Sequence, residues 1–514
     1  MKIRNFTEIK SIFFENLGTK QTIFKNTVWL TFGNIASRLL KVILVIYVAR
    51  ILGATEYGKF SFALSFVSLF IVFSNLGLPI IIIREFAKEK GDGNEFYSVL
   101  SLKALLSVGA LILILIGSFF ITPDPKIRQI IFVLALYVLF NSFYSIINCF
   151  FNAYQRMEYE AFGVIFDAAV TTAVGLFILF YFPSALNLGY AYLVGSISVL
   201  FFSLIIFQWK FFPLKINWEK RVWRKFLSMS WPLALVGLLG SIFNYTDSTM
   251  LGYFGQLAAT GWYNAAYRII NVSLLPMGLV AGSFFPALSK YANAPKDATT
   301  EDLENSKKNL QKVWDYEMML MILIAIPLVV GGIVFAPKII LFLYGEGFLQ
   351  SILAFQILII MAGITFLYIP FYDLLIASGE QKRIFWGTLA AAFFNVITNL
   401  IFIPKFSLYG AAATSVVSYF LMFILFFRFA HKYTSINPFK IKFIIYLAGA
   451  FLSSVVMYFA ISRPQIYNLH IAFPGNIIPS VLDIIFPILT GVIVYGVSLF
   501  ILKIFAGKIN KNLV

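Results

Sequence analysis

The sequence has little charge. Asp, Glu, Lys and Arg make up only 12% of its 514 residues, about half the share of a soluble domain. Hydrophobic residues make up 60%, and the mean hydropathy is +0.87. This excludes a water-soluble globular protein and predicts an integral membrane one. At about 20 residues per spanning helix, the apolar content supports on the order of twelve to fifteen spans. Cysteine is nearly absent: the single Cys149 lies in an apolar run, which excludes an intrachain disulfide and a thiolate metal cluster. Histidine is almost as scarce. His431 and His470 lie in separate polar connections outside any His-Glu-x-x-His spacing, so no metal site is expected. Enzyme signatures are missing as well: there is no Gly-x-Ser-x-Gly with a His partner and no phosphate-binding Gly-rich loop with Lys. No catalytic residue or cofactor is expected.

Fourteen apolar runs are present: 28–49, 59–83, 99–121, 129–151, 162–182, 189–208, 227–250, 261–287, 316–336, 351–376, 384–403, 408–427, 441–461 and 483–502. They are too long and too evenly apolar for barrel strands, and helices satisfy every backbone group in lipid. The predicted fold is therefore an all-α polytopic membrane protein of about 14 transmembrane helices. The net charge of +17 resides mostly in the connections, which points to an anionic membrane face rather than nucleic acid. Counted on alternate sides, 29 Lys and Arg fall on the side of the N-terminal tail and seven on the other; Arg38, Lys41, Lys103 and Arg268 fall within runs. Both termini are predicted to be cytoplasmic, in the cell membrane. Residues 1–27, where Ile3, Phe6, Ile9 and Phe13 alternate with Lys2, Arg4, Glu8 and Lys10, read as an amphipathic helix on the cytoplasmic surface rather than a signal peptide.

The chain repeats itself weakly. ARILGATEYGKFSFA (49–63) follows the first run and LGYFGQLAATGWYNAA (251–266) the seventh, both reading apolar, Gly, short linker, Gly, aromatic, small. NAYQR (152–156) resembles ASGEQK (377–382), and LGYA (188–191) resembles LYGAA (408–412). Because the matches keep their order, the expected organisation is an N-lobe of six spans (28–208), a basic linker (209–226) and a C-lobe of six spans (227–428). Residues 429–514 hold two accessory spans and a cytoplasmic tail. Six spans per copy relate the lobes by a pseudo-two-fold axis along the membrane normal, with a cleft between them.

Charges inside a span cost about 2.5–3.5 kcal/mol on insertion scales and so tend to face a cavity or a partner. Thr31, Asn34, Arg38 and Lys41 share one stripe of the first span, and Asn264, Arg268 and Asn271 share one of the eighth. Asn34, Arg38, Lys41, Asn264, Arg268 and Asn271 are therefore the candidate binding residues, for an anionic ligand. The bland alternatives are an Arg268–Asp247 ion pair and a snorkelling Lys41. Asp247 is either an ion-coupling site or a structural partner. Asp167, Asp373, Asp483, Asp315 and Glu317 fall near predicted span ends and read as interfacial anchors.

WLTFGNIASRLLK (29–41), followed by the segment 49–63, resembles the opening of polysaccharide flippases of the Wzx type, in the multidrug/oligosaccharidyl-lipid/polysaccharide exporter superfamily. DSTMLGYF (247–254), GWYNAAYR (261–268) and FFPALSK (284–290) resemble that family's passage from span 7 through span 8. The resemblance implies export of a lipid-linked oligosaccharide on an isoprenoid phosphate or pyrophosphate carrier, by alternating access. It implies coupling to a proton or sodium gradient or to the membrane potential, with membrane lipid and polysaccharide-assembly enzymes as partners. A multidrug or cation exporter of the same superfamily and a lipid II flippase are the near alternatives. A membrane glycosyltransferase or polymerase would need an external catalytic loop; the longest predicted one, 462–482, is about twenty residues.

Overall fold

The computed structural model describes residues 14–88, 93–211, 215, 217–293, 299–434, 436–437, 441–462 and 486–500. Among these residues every regular element is helical and no strand occurs. Ten helical stretches are long and apolar enough to cross a bilayer. Large apolar side chains stand outward, such as Phe120 at 81% exposure and Phe393 at 68%, a surface that lipid can cover and water cannot. The chain is a multi-pass membrane protein.

The helices are α1 (Thr19–Leu69), α2 (Ile71–Asn75), α3 (Leu78–Lys88), α4 (Gly93–Ile121), α5 (Pro125–Ala153), α6 (Met157–Tyr181), α7 (Ala185–Lys210) and α8 (Lys220–Tyr253). They continue as α9 (Leu257–Ser273), α10 (Leu275–Ala292), α11 (Thr300–Tyr344), α12 (Ser351–Ala377), α13 (Gln381–Tyr433), α14 (Ile441–Ile461) and α15 (Phe486–Phe500). Runs one and two fall in α1 and runs eleven and twelve in α13, and each of these elements is two helices joined at a non-helical residue, Gly53 (φ 73°, ψ 175°) in α1 and Ser407 (φ 55°) in α13. The expected amphipathic segment 1–27 lies outside the described residues up to position 13, and its last nine residues belong to α1.

Two compact units result, Met1–Gly261 and Trp262–Val514. In the first, α1 packs on α5, α6 and α8, and α7 packs on α5 and α6. Gly33 permits the α1–α6 crossing: a Cβ there would lie 2.9 Å from Ala161 Cα. Phe96 of α4 packs on Phe150 of α5 (3.9 Å between centroids) and Phe207 of α7 (5.2 Å), and the fully buried Phe226 of α8 joins the same core. Trp223 Nε1 donates to Ser98 O (2.8 Å), and Lys225 pairs with Glu95 (2.7 Å). These contacts hold α8 within the first unit, so compactness divides the chain after Gly261 rather than in the basic linker.

In the second unit α12 packs on α11 and α13, and α10 and α14 pack on α11. Met457 and Ile461 of α14 and Tyr495 of α15 cluster on Phe335 of α11, and Tyr495 Oη donates to Leu323 O (3.0 Å). One turn recurs in both units. After α5, the N–H groups of Gln155 (φ 56°) and Arg156 donate to Asn152 O and Phe151 O; after α12, those of Gly379 (φ 77°) and Glu380 donate to Ile376 O and Leu375 O. These are the segments that resemble each other in sequence.

Candidate functional site

The stripe on α1 is the natural starting point. Asn34 is exposed, its amide donating back to Leu30 O (2.8 Å), and Arg38 is exposed one turn on. Among the described residues Arg38 forms no ion pair. Lys41 differs: its Nζ donates to Asp167 Oδ2 of α6 at 2.8 Å, with the lysine side chain 38% exposed and the aspartate side chain 9%. The two residues are 126 positions apart and meet because α1 and α6 lie side by side. Asp167 is therefore no interfacial anchor. Its residue is 6% exposed and its Oδ1 is buried without a donor among the described residues. Gly195 of α7 makes room there, since a Cβ would come within 3.3 Å of Asp167 Oδ1 and 2.0 Å of Thr171 Oγ1. Tyr137 and Tyr192 stand beside the pair with their rings 5.7 Å apart.

Lys25, Arg156 and Lys103 also belong to this unit. Lys25, counted by sequence with the N-terminal tail, is fully buried and donates to Glu158 Oε2 (2.8 Å) and Asn16 Oδ1 (2.7 Å). Arg156 adds a 3.3 Å contact to Glu158 and donates to Phe14 O, binding the start of the described chain to the α5–α6 turn. Lys103 of α4, 1% exposed, donates to Ser74 O (2.8 Å) and to Asn75 Oδ1 where α2 ends at the left-handed Leu76 and Gly77. A lysine thus meets the carbonyl end of a broken helix, the end that favours cations. Asp247 of α8 is also in the first unit and is 4% exposed.

The second stripe is on α9, where Asn264 is buried at 8% exposure while Arg268 and Asn271 are exposed. These three lie in the second unit, and the α1 residues lie in the first. Glu317 of α11 and Asp373 of α12 also depart from the interfacial reading, at 0% and 8% exposure. Asp315 is partly exposed and accepts from Gln311 Nε2 (2.7 Å). Asp483 lies outside the described residues. No group of three or more His, Cys, Asp and Glu able to hold a metal occurs among the described residues.

Sequence reasoning reached Asn34, Arg38 and Lys41 through helical spacing and missed the partners Asp167 and Glu158. Spacing within one helix carries no signal for a partner on another. The chain is similar to the capsular polysaccharide biosynthesis protein CapF of Staphylococcus aureus, 24% identical over 418 residues that cover 79% of this chain and 98% of that protein. It is also similar to Agl15 of Haloferax volcanii, named as a probable low-salt glycan biosynthesis flippase, 24% identical over 201 residues that cover 38% of this chain and 40% of that one. In fold it resembles the lipid II flippase MurJ in its inward closed conformation, with TM-score 0.70 and 18% identity, covering 92% of this chain and 98% of that one. The model of the polysaccharide biosynthesis protein family matches residues 23–292, more than half of the sequence and both polar stripes, and the chain belongs to that family.

Proposed function

We propose that this protein moves a lipid-linked oligosaccharide, carried on an isoprenoid phosphate or pyrophosphate, from the cytoplasmic to the outer leaflet of the cell membrane by alternating access. Family membership, the glycan-assembly names of CapF and Agl15 and the flippase fold of MurJ support it. One observation carries the residue-level part: Arg38 is an exposed guanidinium on an apolar helix with no carboxylate bound to it among the described residues. Guanidinium pairs with phosphate oxygens through two parallel hydrogen bonds, which an ammonium cannot do. Asn34 and the half-exposed Lys41 extend that face, and Arg268, Asn264 and Asn271 offer a second set on α9. Asp247 is the proposed ion-coupling carboxylate of α8. Both termini face the cytoplasm in this reading, polysaccharide-assembly enzymes are the partners, and the protein catalyses no covalent step.

The test is lipid analysis of cells lacking the protein. An isoprenoid-linked oligosaccharide that accumulates with its glycan facing the cytoplasm is the expected result. Accumulation of lipid II instead would move the cargo to peptidoglycan precursors. Sensitivity to toxic cations without any accumulated lipid would make the protein a drug exporter. In complemented cells Arg38→Ala should lower export at least about tenfold, the loss of one bidentate charge-assisted contact, and Arg38→Lys should restore part of it. Full export by Arg38→Ala in a membrane-inserted protein would remove this residue from the site.

A further inference from the structure

The most basic connection of the sequence, 209–226, ends in a charged face that the first unit holds in place. Lys220, Arg221, Arg224, Lys225 and Ser228 are spaced 1, 3, 1 and 3 along α8, which puts them on one side of the helix. Together they line a recess of about 490 Å³. Lys225 is committed to Glu95 of α4 (2.7 Å), and the Ser228 hydroxyl donates to Lys225 O (2.8 Å). Lys220, Arg221 and Arg224 are exposed and form no ion pair among the described residues; the carboxylate next to them in sequence, Glu219, is exposed as well. Arg224, Ser228, Trp231 and Leu235 then follow one stripe at spacings of 4, 3 and 4, with Trp231 60% exposed and Leu235 exposed after it. Cations, then an indole, then leucine is the order in which a helix passes from water through the headgroup layer into hydrocarbon. The recess thus lies at the level of lipid phosphates. By the charge count it is on the side with 29 of the basic residues.

An apolar groove opens at the same end. α4, α5 and α7 leave about 320 Å³ between them, walled by Leu100, Ala104, Phe143, Ile147, Leu204 and Trp218. Leu100 is five residues beyond Glu95 on α4, about 7.5 Å along the helix, so the groove begins beside the Lys225–Glu95 pair. Trp218 joins the two spaces. It is two positions before Lys220, a Cα separation of at most about 7 Å, and its ring lies 5.5 Å from that of Trp223. Trp223 Nε1 in turn donates to Ser98 O of α4 (2.8 Å). Uncommitted cations beside an apolar groove match a ligand with an anionic head and a hydrocarbon chain. Guanidinium groups bind phosphate oxygens in pairs, and a groove of this lining offers water nothing to bond to. A zwitterionic headgroup brings its own cation to the phosphate and is the poorer partner.

We propose that this surface binds one anionic glycerophospholipid, its phosphodiester held by Lys220, Arg221 and Arg224 and one acyl chain laid in the groove beside Trp218. The site uses none of the residues assigned to cargo and stands whatever the protein carries; only its placement in the cytoplasmic leaflet rests on the reading above.

The test uses the full-length protein, delipidated and reconstituted without cargo in phosphatidylcholine bilayers that carry a trace of spin-labelled phosphatidylglycerol or spin-labelled phosphatidylcholine. Electron paramagnetic resonance separates lipid immobilised on the protein from free lipid. Wild type should select phosphatidylglycerol at least about fivefold, the effect of a single surface cation on an anionic lipid. Lys220→Gln, Arg221→Gln and Arg224→Gln combined should abolish the preference. Lys307→Gln, Lys308→Gln and Lys312→Gln combined remove the same charge from α11 and should leave it unchanged. Trp218→Ala should lose part of the immobilised phosphatidylglycerol although the headgroup cations remain. All these positions are exposed, which keeps folding out of the readout. No preference in wild type, equal losses in the two triple variants, or full immobilisation in Trp218→Ala would overturn the proposal. Displacement of the label by millimolar inorganic phosphate at constant ionic strength would reduce the site to one for a free anion, and stoichiometric displacement by a polyprenyl phosphate would make it a station for cargo; either result overturns it. Binding is read without transport, so failure here leaves the transport reading standing, and failure of that reading leaves this site standing.

Discussion

Lys25, Lys41, Lys103 and Arg38 lie on the apolar helices of the first unit, and the receiver of the donors differs each time. Lys25 has a carboxylate in a dry setting, Lys41 a carboxylate at a partly open edge, Lys103 a carbonyl and an amide oxygen, and Arg38 no carboxylate among the described residues. Lys25 and Lys103 are structural by geometry and Lys41 is held by a carboxylate at a partly open edge, which makes Arg38 the member of the set with most bonding capacity left for a ligand. Lys25→Met tests the structural end of this series. It strands Glu158, 1% exposed, with only the more distant Arg156 contact, and it should cost about 3 kcal/mol or more, read as a lowered unfolding midpoint. Adding Glu158→Gln should recover most of the loss, because the uncompensated charge and not the missing lysine is the main penalty. Lys41→Met should likewise lower stability, and Asp167→Asn should restore it. If Lys41 serves only Asp167, the double variant exports normally; if it also meets the cargo, stability returns and export does not.

At the scale of elements, glycine decides where helices can cross. Gly58 of α1 lies against the start of α9, where a Cβ would sit 1.7 Å from Leu257 O, and Gly261 faces back, where a Cβ would sit 2.0 Å from Ala54 O. Both obstacles are backbone, which cannot swing away. Alanine at either position should destabilise the first unit by about 1–3 kcal/mol, the range for forced overpacking. Gly53→Ala meets open space but forces a Cβ into a backbone region (φ 73°, ψ 175°) that glycine alone occupies readily, so it should cost about 1–3 kcal/mol through strain and not through overpacking. Thermal unfolding in detergent reads all three variants; Gly58→Ala or Gly261→Ala as stable as the wild type would mean that the crossing relaxes. These glycines were legible in the sequence as the recurring apolar, Gly, linker, Gly pattern, and the helical runs were legible from hydropathy. The depth of the acids was not. Asp167 reads as a boundary residue because its apolar run begins at position 162, yet α6 begins at Met157, so the carboxylate stands about 15 Å along the helix. Glu317 opens an apolar run and is nonetheless seventeen residues inside α11. Hydropathy marks where a helix becomes apolar, not where it starts, and a partner such as Asp167 is fixed only by packing between helices.

For the molecule as a whole, α11 bears on which way the chain sits in the membrane. Its 45 residues span about 68 Å, more than twice the hydrocarbon thickness of about 30 Å, so a long part of it must stand in water. That part is its beginning. The capping box of Thr299 and Asp302 opens the helix, and Glu301, Glu304, Lys307, Lys308 and Lys312 are all exposed before the apolar stretch takes over. By the charge count this end shares the side of the N-terminal tail, the side with 29 of the basic residues, while Lys126 at the start of α5 falls on the side with seven. The native Cys149 is buried at 4% exposure, so introduced cysteines can be read against a quiet background. A membrane-impermeant maleimide should label Lys126→Cys in intact cells and Glu304→Cys only after permeabilisation. The inverse pattern would turn the whole topology over and reverse the direction of transport assigned to it. Labelling of both from one side would break the alternation itself, and with it the even number of crossings that allows two copies of one unit to enter the membrane from the same face.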